Sequence, residues 1–564
     1  MKKKNLLMYA LASLVLAGCS EDLPDGGDGG NGTPSAGGDA WVSLNIQTAG
    51  ATKALHDPEQ ENGTANETKV SKIMALFFDA HLTDVPNNPN LLSTVSWDAG
   101  DPEISNPGQP IGTPTKAFKV KKGSKAFLIV LNPSPDFEAK VSTAETFNDV
   151  NQAIINTNVS SAIGSNKDYF MMTNAKGKLE PTTIATSGSS TTVVDDDLVT
   201  YANPTDAELN SYVVKVDRVA AKVRLFADTK YDKGSSLDIN TIGWTLNVTN
   251  KKYYPMSERD LTWLESTPRG CITPFDIWKF GSYRIGPNYN NQKKTMADIT
   301  SPLYKENYDY YTHATAPSWQ VATADSTGTN AEKIPALYCL ENTQEEDDNY
   351  QAYTTHVLLK VESQPKGLKL PGGVIYDGDA NNDADVDEEG TVNSGSDWIK
   401  IGTNGYYSYN LVVKYIEAEL TSKYRDKDPD NFLQTSVTNQ FGAYLDALVA
   451  QSVLNVKAVE LPTKDEFDEK LAAASNDSVK VIRDIAAEFY QGGVITHGAD
   501  AHGNVSYYKG GQGYHVIMIK HDNDSDNTNN KYGEFGVVRN SVYDIAIKDI
   551  KSPGYPIIPD PDPE

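Results

Sequence analysis

Residues 41–47, WVSLNIQ, carry the pattern on which the fold assignment rests. Val42, Leu44 and Ile46 alternate with polar residues, which is the period of a strand with one face buried. A single strand is not stable alone in water, so this strand must add to a sheet formed by later residues. The stretch therefore predicts a β-protein whose first strand is completed by downstream partners.

Strand patterns continue along the chain and predict an all-β protein with a few short helices, mainly in its second half. They lie at residues 73–78, 126–131, 213–225, 238–249, 354–361, 406–416, 514–519 and 541–550. Thr463 and Glu466 have the spacing of a helix capping box. The strand at 213–225 is predicted to open a second domain, which gives domains at 54–210 and 211–552.

The first 18 residues have the features of a signal peptide, with Lys2–Lys4 before a short apolar run. The run ends in Leu16-Ala17-Gly18-Cys19, which resembles the lipobox of bacterial lipoproteins. Cleavage between Gly18 and Cys19 and acylation (palmitate) of Cys19 are predicted, and several acyl chains would anchor the precursor stably. Residues 20–40 form a Gly-rich acidic tether, which is either an export signal for the outer surface or a plain spacer.

The composition excludes some functions. The chain carries 50 Lys and Arg against 76 Asp and Glu, which argues against nucleic-acid binding, since a phosphate backbone requires a basic surface. No catalytic motif stands in a useful context, so the protein is not expected to be an enzyme. Cys271 and Cys339 either pair or remain buried thiols, and the sequence does not decide between these.

One acidic loop, residues 377–388, resembles an EF-hand calcium loop. Its oxygen-bearing side chains have the required spacing at Asp377, Asp379, Asn381, Asp383, Asp385 and Glu388. Asn382 stands where that loop normally has glycine, and the flanking residues do not look helical. No cofactor is required by the expected function; calcium binding and a solvated acidic loop both remain open. Tyr304, Tyr308, Tyr310 and Tyr311 raise a similar choice between sugar stacking and ordinary packing.

Lys53 is the only Lys or Arg between Cys19 and Lys69. It lies in a stretch of small residues after the first strand, the kind of open segment that proteases reach. A trypsin-like protease is therefore expected to cut between Lys53 and Ala54. Residues 19–53, including the strand at 41–47, would then be a propeptide removed on maturation.

The C-terminal residues 553–564 are predicted to form a donor tail. Tyr555, Ile557 and Ile558 are large apolar residues after the interruption at Lys551–Gly554, with no local core to bury them. The prolines at 556, 559, 561 and 563 favour an extended chain and limit its ladder hydrogen bonds. A neighbouring subunit could supply the missing partner surface, although a disordered acidic tail is the alternative.

The layout resembles the fimbrillins, the type V pilins of Bacteroidales, and is closest to their minor-fimbria branch. The lipobox at Cys19, the first strand before Lys53, the strand 213–225 and above all the C-terminal region 507–543 carry the resemblance. It implies two tandem transthyretin-like β-sandwiches. It also implies a surface lipoprotein precursor that polymerises by protease-mediated donor-strand exchange. The protease removes Val42, Leu44 and Ile46 with their strand, although the family site usually follows Arg rather than Lys.

The expected function is that of a major structural pilin supporting adhesion and biofilm formation. Its expected partners are other copies of itself, accessory tip and anchor subunits, and the maturation protease. The precursor is expected at the outer membrane surface and the mature subunit in an extracellular fimbrium. A tip or anchor subunit, or a monomeric adhesin that binds glycan or host protein, is the alternative.

Overall fold

A computed structural model describes twenty segments of the chain. These are residues 38–48, 51–53, 60–61, 63–80, 88–105, 112–155, 158–164, 166–175, 198–227, 237–258, 283–289, 301–315, 317–322, 335–344, 350–366, 393–401, 405–408, 462–490, 505–521 and 535–561. Within them the chain is mainly β-sheet, as predicted.

The strands are as follows, in chain order. They are β1 (Asp39–Val42), β2 (Leu44–Thr48), β3 (Ala51–Lys53), β4 (Gln60–Glu61), β5 (Lys72–Phe78), β6 (Leu91–Asp98), β7 (Phe118–Lys121), β8 (Ala126–Leu131), β9 (Met172–Thr173), β10 (Tyr212–Arg218), β11 (Ala220–Ala227), β12 (Leu237–Asn247), β13 (Thr249–Asn250), β14 (Tyr308–Asp309), β15 (Gln320–Val321), β16 (Ala336–Leu340), β17 (His356–Pro365), β18 (Trp398–Ile401), β19 (Gly405–Ser408), β20 (Val505–Tyr508), β21 (Gln512–Met518) and β22 (Ser541–Ile547).

Short helices connect the strands in both halves. They are α1 (Ala65–Thr68), α2 (Pro135–Val141), α3 (Phe147–Asn151), α4 (Val159–Ile163), α5 (Pro204–Leu209), α6 (Pro302–Asn307), α7 (Lys464–Ala473) and α8 (Ser478–Tyr490). The predicted capping box of Thr463 and Glu466 is present at the start of α7. Within the described residues, five of these eight helices precede residue 210, and the two longest, α7 and α8, lie in the second half.

The first sandwich packs a six-stranded sheet, in the order β2-β10-β9-β8-β5-β6, against the pair β1-β7. Apolar side chains from both sheets meet in one core that includes Ile73, Phe77, Phe118 and Ile129. The alternate residues of β5 and β8 face the opposite way, where helices α2 and α3 cover them. This is why both strands are apolar on both faces.

The second sandwich packs the sheet β16-β11-β22-β3-β4 against the sheet β15-β12-β17-β21. Its core contains Val223, Trp244 and Leu359, and Tyr543 and Ile547 of β22 are buried in it. The strand predicted at residues 541–550 is thus present and belongs to this sandwich. Cys339 is buried in the same core without a disulfide, and burial raises the pKa of its thiol to about 12. Cys271 lies outside the described residues.

The predicted single strand 213–225 is wrong. It is two strands in two sandwiches, since β10 pairs with β2 and β9 of the first, whereas β11 pairs with β16 and β22 of the second. The chain changes from one sandwich to the other at Val219. Both strands are apolar on alternate residues, and the sequence pattern therefore runs through the junction without a break.

Candidate assembly site

The N-terminal residues 39–53 run along both sandwiches. β1 lies antiparallel to β7, β2 lies parallel to β10 at the edge of the six-stranded sheet, and β3 lies parallel to β22 in the second sandwich. The predicted single strand 41–47 is therefore wrong in detail. The segment contains three strands, in three different sheets, and it extends six residues beyond the predicted strand.

The predicted apolar residues of this segment are all in the first core. Val42 is 1% exposed, Leu44 is fully buried and Ile46 is 3% exposed. Burying each such side chain is worth roughly 1.5–3 kcal/mol. Removing the segment would therefore expose a groove that is apolar inside and has unpaired backbone groups along its edges.

Ser43 is the corner between β1 and β2. Its hydroxyl donates to the carbonyl of Thr115 at 2.7 Å, and the Thr115 hydroxyl accepts from the backbone N–H of Leu44 at 3.0 Å. The hydroxyl of Ser43 also contacts that of Ser211. The alternating pattern predicts that Ser43 is exposed, but it is buried. These contacts replace ladder hydrogen bonds at the turn and so satisfy its polar groups inside the protein.

Lys53 is the last residue of β3 and is in register with Val542 of β22. The prediction of an open segment around Lys53 is thus wrong, because its backbone belongs to a sheet in the second sandwich. A protease must bind its substrate extended and separate from other strands, so any cleavage at Lys53 would require β3 to leave β22 first. Ala54, Gly18, Cys19 and the acidic loop 377–388 lie outside the described residues, and their predicted roles remain predictions.

A buried ionic cluster holds α1 beside this segment. The carboxylate of Glu67 lies 2.9 Å from the ammonium of Lys222 and accepts a hydrogen bond from Tyr338 at 2.6 Å. Arg218 donates to the backbone carbonyl of Glu67 and to the side chain of Asn540. Burial alone would raise the pKa of Glu67, but the Tyr338 hydrogen bond and the Lys222 charge outweigh it and lower this pKa.

A second buried cluster ties the two sandwiches further along the junction. Arg284 lies 3.7 Å from Asp217, and Arg539 lies 3.5 Å from Glu341, with all four side chains nearly fully buried. Neither cluster was predicted. The sequence does contain one indication of them, because charged residues such as Asp217 and Lys222 lie inside apolar strand patterns. A charge buried at such a position requires a partner.

The C-terminal tail is docked on its own subunit, contrary to the prediction that no local surface receives it. Tyr555 and Tyr514 of β21 exchange two backbone hydrogen bonds of 2.8 Å. Ile558 is 4% exposed, Ile557 is half-buried and Tyr555 is 42% exposed. Beyond this bridge, the Tyr508 hydroxyl donates to the Gly554 carbonyl, and Asp560 lies 3.5 Å from His313. The backbone of the tail is nevertheless paired with a strand at one position only, against eleven for the N-terminal segment.

Gly554 permits this docking. Its φ is +77°, and a Cβ atom there would lie 2.3 Å from the carbonyl oxygen of Tyr514 and 2.7 Å from Nε2 of His515. Its carbonyl accepts from the hydroxyl of Tyr508 at 2.9 Å. Glycine adopts this backbone conformation without steric cost. The chain therefore turns sharply onto β21 at Gly554, immediately before the apolar residues of the tail.

The tyrosines considered for sugar stacking are packed inside the second domain instead. Tyr304 and Tyr308 are each 3% exposed and contact Tyr353, and Tyr310 packs on Tyr304. Burial raises the pKa of Tyr304 and Tyr308. Tyr304 and Tyr308 thus belong to a small core, whereas Tyr310 and Tyr311 are half-buried.

Neither a membrane helix nor a metal cluster is found in the part of the chain that the structure describes. No helix there is both long and apolar enough to cross a bilayer. No three His, Cys, Asp or Glu side chains there are grouped to hold a metal ion.

Comparison with known proteins gives a family for the C-terminal region. Residues 506–564 match the family model described as "Major fimbrial subunit protein type IV, Fimbrillin, C-terminal". The match falls on the region that carried the resemblance most specifically, so the resemblance to the fimbrillins is confirmed there. No curated protein matches the chain significantly.

Several solved structures are similar. They include a fimbrilin of Porphyromonas gingivalis (13% identity, 65% of this chain and 91% of that chain, TM-score 0.24) and the tip fimbrial protein Mfa3 of the same species (15%, 66% and 97%, 0.25). A fimbrial assembly protein of Parabacteroides distasonis is also similar (10%, 57% and 82%, 0.24). TM-scores this low carry no weight for function.

Proposed function

We propose that this chain, which ends in a fimbrillin C-terminal segment, is a structural subunit of a cell-surface fimbria and polymerises by donor-strand exchange. A trypsin-like protease removes residues 19–53 from a lipidated precursor. The opened groove then receives the C-terminal tail of another copy. Strand addition to a sheet edge is a known mode of protein association, and head-to-tail donation forms an open filament.

One observation carries the proposal: the segment that ends at Lys53 completes both sandwiches. β1, β2 and β3 are paired at eleven backbone positions with β7, β10 and β22. The backbone of the tail, in contrast, is paired at a single position on β21. After cleavage, the vacated groove offers a tail many more ladder hydrogen bonds than its own subunit does. Exchange between copies is favoured for this reason.

The experiment is cleavage and assembly of the purified precursor with trypsin. Lys53→Ala should remain uncut at this site and monomeric, whereas the parent acquires Ala54 as its N-terminus, by mass spectrometry, and forms fibres, by electron microscopy. Lys69→Ala is the matched control, since Lys69 is the next basic residue and is exposed. Normal fibres from Lys53→Ala would contradict the proposed cleavage site.

Deletion of residues 553–564 tests the donor. The shortened subunit should fold and be processed but should not extend a fibre. Polymerisation at the parent rate would place the donor elsewhere. The same variant also distinguishes a stalk subunit from a tip subunit or a monomeric adhesin. A tip subunit or an adhesin donates no tail, so its function should not depend on residues 553–564.

A further inference from the structure

A strip of lysines lies on the first sandwich where the N-terminal segment begins. Residues 116–125, KAFKVKKGSK, hold five lysines and no acidic residue in a chain with a net charge of −26. Lys119 and Lys121 on β7, with Lys122 and Lys125 in the following turn, are exposed. We call these four residues the lysine strip. Such a concentration of one charge attracts an anionic partner.

In the precursor, β1 covers one side of this strip. Asp39 is in register with Lys121, and its carboxylate lies 3.4 Å from the ammonium of Lys119. The same ammonium is 5.6 Å from the ring centroid of Trp41, and the backbone N–H of Lys122 donates to Gly38 at 2.9 Å. Loss of residues 19–53 would remove this carboxylate and this ring together.

The C-terminal end of the chain has a complementary pattern. Asp560, Asp562 and Glu564 alternate with prolines. In an extended chain, alternate residues share a face about 6.6 Å apart, which is also the spacing of Lys119 and Lys121 along β7. Proline lacks an N–H, so this sequence suits a strand that pairs along one side. Within the described residues, β7 pairs with β1 alone.

The length and the charge of the tail also indicate the direction in which it lies in the groove. Residues 548–564, which follow β22, reach about 56 Å when extended, and the replaced residues 39–53 span about 50 Å. The acidic end of the tail reaches the lysine strip if the donor strand runs in the direction opposite to that of residues 39–53, which it replaces. At the other end of the groove, β22 carries Asp544, which already pairs with Arg224. The reversed direction makes the contacts with β10 and β22 antiparallel, the slightly more stable arrangement, and the contact with β7 parallel.

We infer that the lysine strip binds the acidic C-terminal end, residues 560–564, of a second copy of the chain. This contact orients the donor so that its end lies on β7. The inference rests on the proposed donor-strand exchange and adds the direction of the donor and a determinant of partner choice.

Charge reversal tests the contact. Lys119→Glu with Lys121→Glu in the mature subunit should slow polymerisation about tenfold at low salt, and less at high salt. Reversing the tail with Asp560→Lys and Asp562→Lys should slow it similarly, and the combination of both reversals should restore the rate. Lys470→Glu with Lys480→Glu, on exposed helical positions, is the matched control and should have no effect.

Cysteine pairs test the direction. Asp562→Cys should form a disulfide between subunits with Lys121→Cys but not with Asp544→Cys. The opposite pairing, or polymerisation unaffected by reversal of the lysines, would overturn the inference while leaving donor-strand exchange intact. Normal polymerisation of the lysine variants with loss of heparin binding would identify an anionic polysaccharide as the partner instead. A parent protein that forms no fibre would refute the proposed function itself.

Discussion

Replacement of Glu67 by glutamine should destabilise the junction between the sandwiches strongly. The side chains of Glu67 and Lys222 are 4% and 8% exposed, and their charged atoms lie 2.9 Å apart. Removing one charge of a buried pair costs about 3–5 kcal/mol, because the remaining charge stays desolvated. The loss should exceed that from Tyr338→Phe, which removes one hydrogen bond to a charged group, worth about 1.5–3 kcal/mol.

Thermal unfolding followed by circular dichroism measures this effect. If one sandwich of about 150–250 residues unfolds as a unit, a loss of this size should lower Tm by roughly 6–20 °C. The matched control is Glu138→Gln, which breaks the exposed ion pair with Lys72 and should cost about 0–1 kcal/mol. If Glu67→Gln lowers Tm no more than Glu138→Gln does, the cluster does not hold the junction.

The pH dependence of the Glu67 effect has a definite sign. The pKa of Glu67 is lowered in the folded protein, so its contribution is complete above the ordinary carboxyl pKa of 4.5 and is lost as the pH falls through the folded value. Glu67→Gln should therefore differ most from the parent at neutral pH. The two proteins should converge in acid.

Three further predictions concern other parts of the molecule. Burial lowers the pKa of His356 to about 4, so the folded state binds a proton less readily than the unfolded state; stability should fall by about 3 kcal/mol between pH 6.5 and pH 4, and His356→Gln should abolish this fall in urea titrations. Gly554→Val should release the tail, because its side chain would collide with β21, and trypsin should cut after Lys551 sooner than in the parent. If the acidic loop binds calcium, Asp379→Ala with Glu388→Ala should remove the rise in Tm that calcium produces; equal melting of the parent in calcium and in chelator would leave a solvated loop.

The sequence predicts the strands better than their sheets. The apolar positions Val42, Leu44 and Ile46 follow from their period alone, because burial on one face requires it. The corner at Ser43 does not, since its hydroxyl is satisfied by Thr115, which is 72 positions away. The break between β10 and β11 at Val219 is likewise not visible in the local sequence. Which sheet a strand joins depends on its pairing partners and not on its neighbours in the chain.

The assembly site is predictable in part. Lys53 is conspicuous as a lone basic residue, whereas its place in β3 depends on β22, at the opposite end of the chain. The docking of Tyr555 similarly depends on a close approach at Gly554 that no local pattern announces. Contacts between residues this distant in sequence lie beyond what period and composition can indicate.

The pairing of β3 with β22 has a consequence for the order of folding. Thr52 and Ser541 are partners although nearly the whole chain separates them, and β2 likewise waits for β10. The residues synthesised first therefore find their places only after residues 541–542 have been synthesised. Since contacts of long sequence separation slow folding, the precursor should mature slowly and close its second sandwich in the final step. A partly synthesised chain would therefore present an incomplete sheet, in which β22 still lacks its partner β3.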